Sequence, residues 1–265
     1  MNILEKIVFH KRKSLVQLKE KFPVSSFEKN PLFQLERPSF FDCLNKKGPS
    51  VITEFKRKSP SKGDINPEAQ ISSIIPQYSN AGASAISVLT DIHFSGELKD
   101  LNDAALISNI PLLRKDFIVD EYQILEAKAH GASAILLIAT VLSKKEIFEF
   151  TKIAHRLRLD VLLELHDESE LSKIGADNNI IGVNNRNLSS FEVNTDKAIS
   201  LLGSLDKDVI KVAESGIQDI DIAIKMFRAG FNAFLIGELF MRNENPGEKV
   251  SEFIRMLTKK LNYEG

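Results

Sequence analysis

One cysteine, Cys43, and no tryptophan occur in 265 residues. A single thiol excludes a disulfide framework within the chain and a multi-cysteine zinc site, and it suits a reducing cytoplasm. Hydrophobic residues make up 43% of the chain, yet no uninterrupted apolar run approaches the roughly 20 residues that span a bilayer. Neither sign of charge dominates, because 35 basic and 36 acidic side chains leave a net charge of -1. Such a balance lacks the electrostatic footprint of a nucleic-acid binder, so a local basic stretch suits a small anionic ligand. The five histidines do not form a metal constellation. His10, His93, His130 and His155 are far apart in sequence from one another and from His166, so no metal is expected.

The opening stretch MNILEKIVFHKRKSLVQLKEKF carries Glu5 and Glu20 and no long apolar segment, unlike a secretory or organelle signal. Leu4, Ile7, Val8, Leu15 and Leu18 mark one face of a helix packed on the rest of the chain. A helix lying on a membrane surface is the competing reading.

What the chain does contain is a series of short, β-branched apolar segments. Strands are predicted at 51–56, 86–90, 111–115, 132–139, 160–166, 180–185, 210–215 and 233–238. Each is nearly continuous in hydrophobicity, as a strand covered on both faces must be. Helical segments alternate with them, and Ser143 with Glu146 three positions on reads as a capping box. About eight such units recurring every 20 to 35 residues or so predict an α/β fold, a (β/α)8 TIM barrel. NAGASAISVL, AHGASAILLI and RAGFNAFLIG each repeat a helix end, a glycine turn and a strand. A doubly wound sheet is the competing architecture, weakened because no GxGxxG follows the first strand. Residues 1–48 are expected to form an N-terminal helical extension, one or two helices about the connector FPVSSFEKNPLF, and 49–265 the barrel, in a single domain.

Catalytic groups of such barrels project from the carboxyl ends of several strands, and side chains alternate inward and outward. In the first strand Ile52, Glu54 and Lys56 share the inner face, while Val51, Thr53 and Phe55 face the helices. Arg57 then points outward, to solvent or a helix. The same count turns Leu113, Lys115 and Phe117, then Leu162, Glu164 and His166, then Gly182, Asn184 and Arg186 inward. Packing alone does not select these charged types, since burying them is costly unless they are paired. A structural ion pair remains the simpler reading for any one of them; their convergence on one opening points to function. AESGI and LIGE place small residues after strands seven and eight, where barrels hold phosphate on loop amides. Ser215, Gly216, Gly237 and Glu238 are the candidates there.

EFKRKSPSKG, VLTD, PLLRKDFIVDEYQI, LLELHD, GVNNRNL, VAESGI and AFLIGELFMR, in this order, resemble the indole-3-glycerol-phosphate synthase family along nearly the whole chain. The resemblance implies a tryptophan-pathway barrel without cofactor or metal, acting on a small phosphorylated substrate, 1-(2-carboxyphenylamino)-1-deoxyribulose 5-phosphate. Ring closure, decarboxylation and dehydration then yield indole-3-glycerol phosphate. By motif match Lys115 resembles the general acid at the ribulose carbonyl, and Glu164 the base that assists dehydration. Lys56 matches the lysine that engages the substrate carboxylate, Glu54 orients the lysines, and Asn184 holds hydroxyls. Arg186 and Glu214 match further substrate-site positions, and Ser59, Pro60 and Ser61 line the entrance. Phe94, Phe117, Leu136 and Leu188 are candidate walls for the aryl ring, or equally ordinary core.

The chemistry suggests that desolvation and mutual repulsion lower the pKa of Lys56 and Lys115, and that partial burial raises that of Glu164. Carboxylates at the mouth suit the positive charge that develops near the ring nitrogen. Two positions depart from the family pattern. Glu97 stands where serine is frequent, and Glu238 where a small residue occurs, so only its amide is a phosphate candidate. A cytoplasmic monomer is expected, in possible association with other enzymes of the pathway. Phosphoribosylanthranilate isomerase, which relies on a cysteine at the first strand's end, and a catalytically silent binding barrel are the alternatives.

Overall fold

The computed structural model describes residues 3–59, 63–186 and 193–262. Its strands are β1 (Ser50–Phe55), β2 (Ala85–Leu89), β3 (Leu112–Lys115) and β4 (Ala134–Ile138), followed by β5 (Asp160–Leu165), β6 (Ile180–Asn184), β7 (Ile210–Glu214) and β8 (Ala233–Ile236). All pair in parallel, and β8 returns to β1 with Ser50 opposite Ala233 and Thr53 opposite Ile236, so the sheet closes. Closure rules out the doubly wound alternative. Each predicted strand is present, with ends shifted by two residues at most.

Alternation sorts the side chains into two layers, as parity requires. Ile52, Leu113, Leu136, Leu162, Val212 and Leu235 fill the barrel. Val51, Phe55, Ile86, Val88, Leu137 and Leu163 pack outward under the helices. Burying each large aliphatic side chain contributes about 1.5–3 kcal/mol. A one-residue slip would exchange the layers, so the register is firmly set and the polar strand ends are aimed with it.

The N-terminal extension differs from expectation: four helices form, Ile3–Lys21, Val24–Phe27, Pro31–Gln34 and Phe40–Leu44. The connector folds because capping residues outweigh its turn-like composition. Asn30 accepts from the Leu32 N–H with Pro31 at the first helical position, and Ser39 accepts from the Asp42 N–H. Phe40 and Leu44 join the inner layer. The Phe41 N–H and the Ser39 hydroxyl donate to Asp160 at the start of β5, so this helix plugs the end of the barrel opposite the site.

The first helix packs on the barrel, as the sequence predicts. Leu15 is buried against Phe27, Val119 and Tyr122, and Lys11 reaches Asp91 and Asp116 at 2.7 Å each. After β1 a short hairpin pairs Lys58 with Asp64 and Ser59 with Gly63. Among the described residues no helix is long and apolar enough to cross a membrane.

Candidate active site

The carboxyl ends of the strands surround a cavity of about 510 Å³. Glu54, Lys56, Ser59, Phe94, Lys115, Phe117, Leu136, Glu164, Asn184, Arg186, Glu214, Ser215, Gly216, Gly237 and Glu238 all line it. Pro60, Ser61 and Leu188 lie outside the described residues. Arg57 is helix-packed: its guanidinium grips Asp100 through two bonds of 2.6 and 2.9 Å.

Lys115 is the hub. Its ammonium lies 3.1 Å from Glu164 and 3.3 Å from Glu214, brought together from β3, β5 and β7. Asn184 on β6 donates to the other oxygen of Glu164 at 3.1 Å, and its own carbonyl accepts the Arg186 N–H at 3.0 Å. On β1, Lys56 lies 2.7 Å from Glu54. Space for these side chains is made by glycine. A Cβ on Gly237 would stand 2.6 Å from an oxygen of Glu54, and one on Gly182 would stand 2.1 Å from an oxygen of Glu214.

The protonation pattern corrects two expectations. Burial pushes Lys115 down, but the carboxylates of Glu164, Glu214 and Glu54 outweigh it and hold the ammonium above the usual lysine range. Glu164 is pushed up by burial, yet Lys115, His166 and the Asn184 amide pull it well below the usual carboxylate range. Lys56 does not repel Lys115 into neutrality, because the groups nearest Lys115 are acidic. Glu214 goes the other way: burial and the neighbouring Glu164 raise it well above the ordinary value. Of the two carboxyl groups beside the Lys115 ammonium, Glu214 is thus the one that holds a proton more readily, and Glu164 the one that gives it up.

At the opposite rim Ser215 and Gly216 take left-handed backbone angles, φ 63° and 75°. Gly216 has no alternative, since a Cβ there would lie 2.3 Å from Val193. Glu238 accepts from Arg242 at 3.0 Å, one helical turn along. Arg242 and Gln218 line the cavity and were not singled out from the sequence, although the spacing of Glu238 and Arg242 signals a helical ion pair. Asn185, also missed, donates to the carbonyls of Glu214 and Ser215 and ties β6 to this turn.

The apolar wall is built from Phe94 and Phe117, ring centres 6.3 Å apart, with Leu136 beneath. Leu136 is also inner core, so wall and core are the same side chain. A buried network missed by sequence reasoning holds this wall. Asp116 accepts the Phe117 N–H at 2.8 Å and pairs with Arg114 at 3.0 Å and Lys11 at 2.7 Å. Lys11 comes from a distant part of the chain, so no local pattern reveals its pairing with Asp116. Glu97 is exposed at the start of the helix Leu98–Ile107, with its N–H donating to Asp100.

Fold and site together define a (β/α)8-barrel enzyme with a lysine–carboxylate centre. The family model of indole-3-glycerol phosphate synthase matches residues 4–253. An indole-3-glycerol phosphate synthase of Bacteroides thetaiotaomicron is 40% identical over 97% of this chain and 99% of its own length. One of Neisseria meningitidis is 48% identical over 77% of this chain and 79% of its own. A crystal structure of 3-hexulose-6-phosphate synthase from Salmonella typhimurium shares the fold, with a TM-score of 0.62 at 11% identity over 78% of this chain and 99% of that one. The chain belongs to the indole-3-glycerol phosphate synthase family, and is a carboxy-lyase of tryptophan biosynthesis.

Proposed function

We propose that Lys115 starts the conversion of 1-(2-carboxyphenylamino)-1-deoxyribulose 5-phosphate by protonating its carbonyl oxygen. A ring carbon attacks the carbonyl carbon as the proton arrives, so one C–C bond forms and the oxygen leaves the step as a hydroxyl. The observation that carries this reading is the Lys115 ammonium held between Glu164 at 3.1 Å and Glu214 at 3.3 Å. Those carboxyl groups keep the ammonium protonated and aimed, and a group must be protonated to act as a general acid.

Loss of CO2 then returns its electron pair to the ring and discharges the positive nitrogen, which Glu54 and Glu164 stabilise until that moment. Dehydration follows: Lys115, re-protonated from solvent after the first step, gives the proton with which the hydroxyl leaves as water, and Glu164 takes the proton that the ring gives up. Lys56 meets the substrate carboxylate and is oriented by Glu54, 2.7 Å away. Asn184 and Arg186 face the sugar chain, and Phe94, Phe117 and Leu136 cover the aryl ring. The turn at Ser215 and Gly216 with the amides at Gly237 and Glu238 seats the phosphate, and Arg242 adds a charge at that rim.

An isomerase using a first-strand cysteine is not supported. Cys43 belongs to the helix that plugs the far end of the barrel. We also infer a cytoplasmic monomer, free to associate with enzymes of the same pathway, from the single thiol and balanced charge. Sedimentation of the purified chain as a dimer would overturn the monomer. Mixing purified protein with the anthranilate-derived substrate should produce new indole emission; an unchanged spectrum would overturn the proposed reaction.

A further inference from the structure

His166 is a side chain that the scheme above leaves without a task. It lies one residue beyond β5, with its side chain 10% exposed. Its Nε2 stands 3.2 Å from Oε1 of Glu164. That nitrogen is sealed from solvent and has no hydrogen bond.

The other ring nitrogen fixes which tautomer is present. Nδ1 is 3.1 Å from the Thr140 hydroxyl, and that hydroxyl donates its own hydrogen to Oε1 of Glu170 at 2.5 Å. A hydroxyl has one hydrogen, so toward His166 it accepts, and Nδ1 carries the proton. Glu170 also accepts the His166 backbone N–H through its second oxygen, at 2.7 Å, which locks the ring's base in place. In the neutral ring Nε2 is then a bare lone pair aimed at a carboxylate. A proton between the two atoms resolves that repulsion.

We propose that His166 is a positioning residue that receives from Glu164 the proton Glu164 collects during dehydration. The step breaks the bond from the proton to Oε1 and forms one to Nε2, leaving Glu164 a carboxylate and the ring an imidazolium. The imidazolium is cleared through the outer end of the chain, where Thr140 is exposed. Charged groups around the ring are Glu164 and Asp167 beside it and Glu170 in the turn beyond; Lys115 and Glu214 act on it through Glu164. The neutral groups from packed elements are Thr140 after β4 and Asn184 on β6. The inference rests on Glu164 being the base.

The test is the pH profile of kcat in His166→Gln. Glutamine still offers an N–H to Glu164 but cannot take up a proton. The plateau should fall about tenfold, less than the ~10²–10⁴ of a group that exchanges a proton with substrate directly, with KM within twofold. The acid limb of the profile should change, because glutamine takes up no proton. Thr140→Val, which frees the tautomer without touching the cavity, should lower kcat about threefold and move the same limb. The His166 ring nitrogen signals, found by their loss in His166→Gln, should differ between the native enzyme and Glu164→Gln, because the group facing Nε2 changes. An unchanged limb with kcat within twofold in His166→Gln, or ring signals indifferent to Glu164→Gln, overturns the relay. Should Glu164→Gln itself retain turnover, the base assignment fails instead. A poorly folded His166→Gln leaves Thr140→Val and the ring signals to decide.

Discussion

Gly182 leaves room for Glu214: a Cβ at that position would lie 2.1 Å from Oε1 of Glu214 and 3.3 Å from a methyl of Leu162. One missing methyl on β6 thus allows a carboxyl group of β7 to stand beside Lys115 on β3.

Gly182→Ala should therefore push Glu214 out of the cluster. Overpacking a buried site costs about 1–3 kcal/mol. Turnover should fall at least ~10-fold, with KM changed less, because an aimed group moves while the entrance remains. Steady-state kinetics and thermal unfolding on the same preparation check both parts.

Lys115→Ala should reduce turnover by about 10²–10⁴, the range for an acid–base group, while substrate still binds. Equilibrium titration of the substrate's own fluorescence separates binding from chemistry. Near-normal turnover would remove Lys115 from the acid role.

Glu164→Gln should slow dehydration more than it weakens binding. Rapid-quench trapping should reveal a decarboxylated, still hydroxylated ring that the native enzyme does not accumulate. An equal loss in affinity would instead assign Glu164 to positioning.

Glu214 predicts a stability trend. Its folded pKa is raised by burial and by Glu164, so the folded chain binds a proton that the unfolded chain releases. Its favourable contribution is complete below the unfolded value, about 4.3, and is lost as pH rises through the higher folded value. Glu214→Gln cannot titrate. Its melting temperature should thus gain on that of the native protein between about pH 4.5 and pH 8, while activity falls. A constant difference across that range would contradict a raised Glu214.

Lys11 ties the first helix to the site. Removing one partner of a buried ion pair costs about 3–5 kcal/mol, and Lys11→Met leaves Asp91 and Asp116 facing each other without their cation. Thermal unfolding should report the loss, and KM should rise as Phe117 loses its anchor. Lys11→Arg should recover most of both.

The barrel was legible because eight apolar segments repeat along the chain and each is buried on both faces, so hydrophobicity alone marks them. Parity then picked Glu54, Lys56, Lys115, Glu164 and Asn184, since alternation along a strand is a property of the backbone. The short helices of the extension were not legible: Asn30 and Ser39 act through caps that composition presents as turns. Asn185 was assigned no place, because its partners Glu214 and Ser215 sit in another βα unit; Arg242 was passed over, and His166, turned inward by parity, was given no task.

Local patterns in the chain were sufficient for the strands, the inward faces and the types of group at the mouth. Charge states were another matter. Whether a buried lysine is neutral or ammonium depends on which charges lie within a few ångströms, and those neighbours come from across the barrel. Lys115, expected to be weakened by a second lysine, is instead surrounded by Glu164, Glu214 and Glu54. Only closure of the sheet puts them there, through steep distance-dependent electrostatics that no linear spacing encodes.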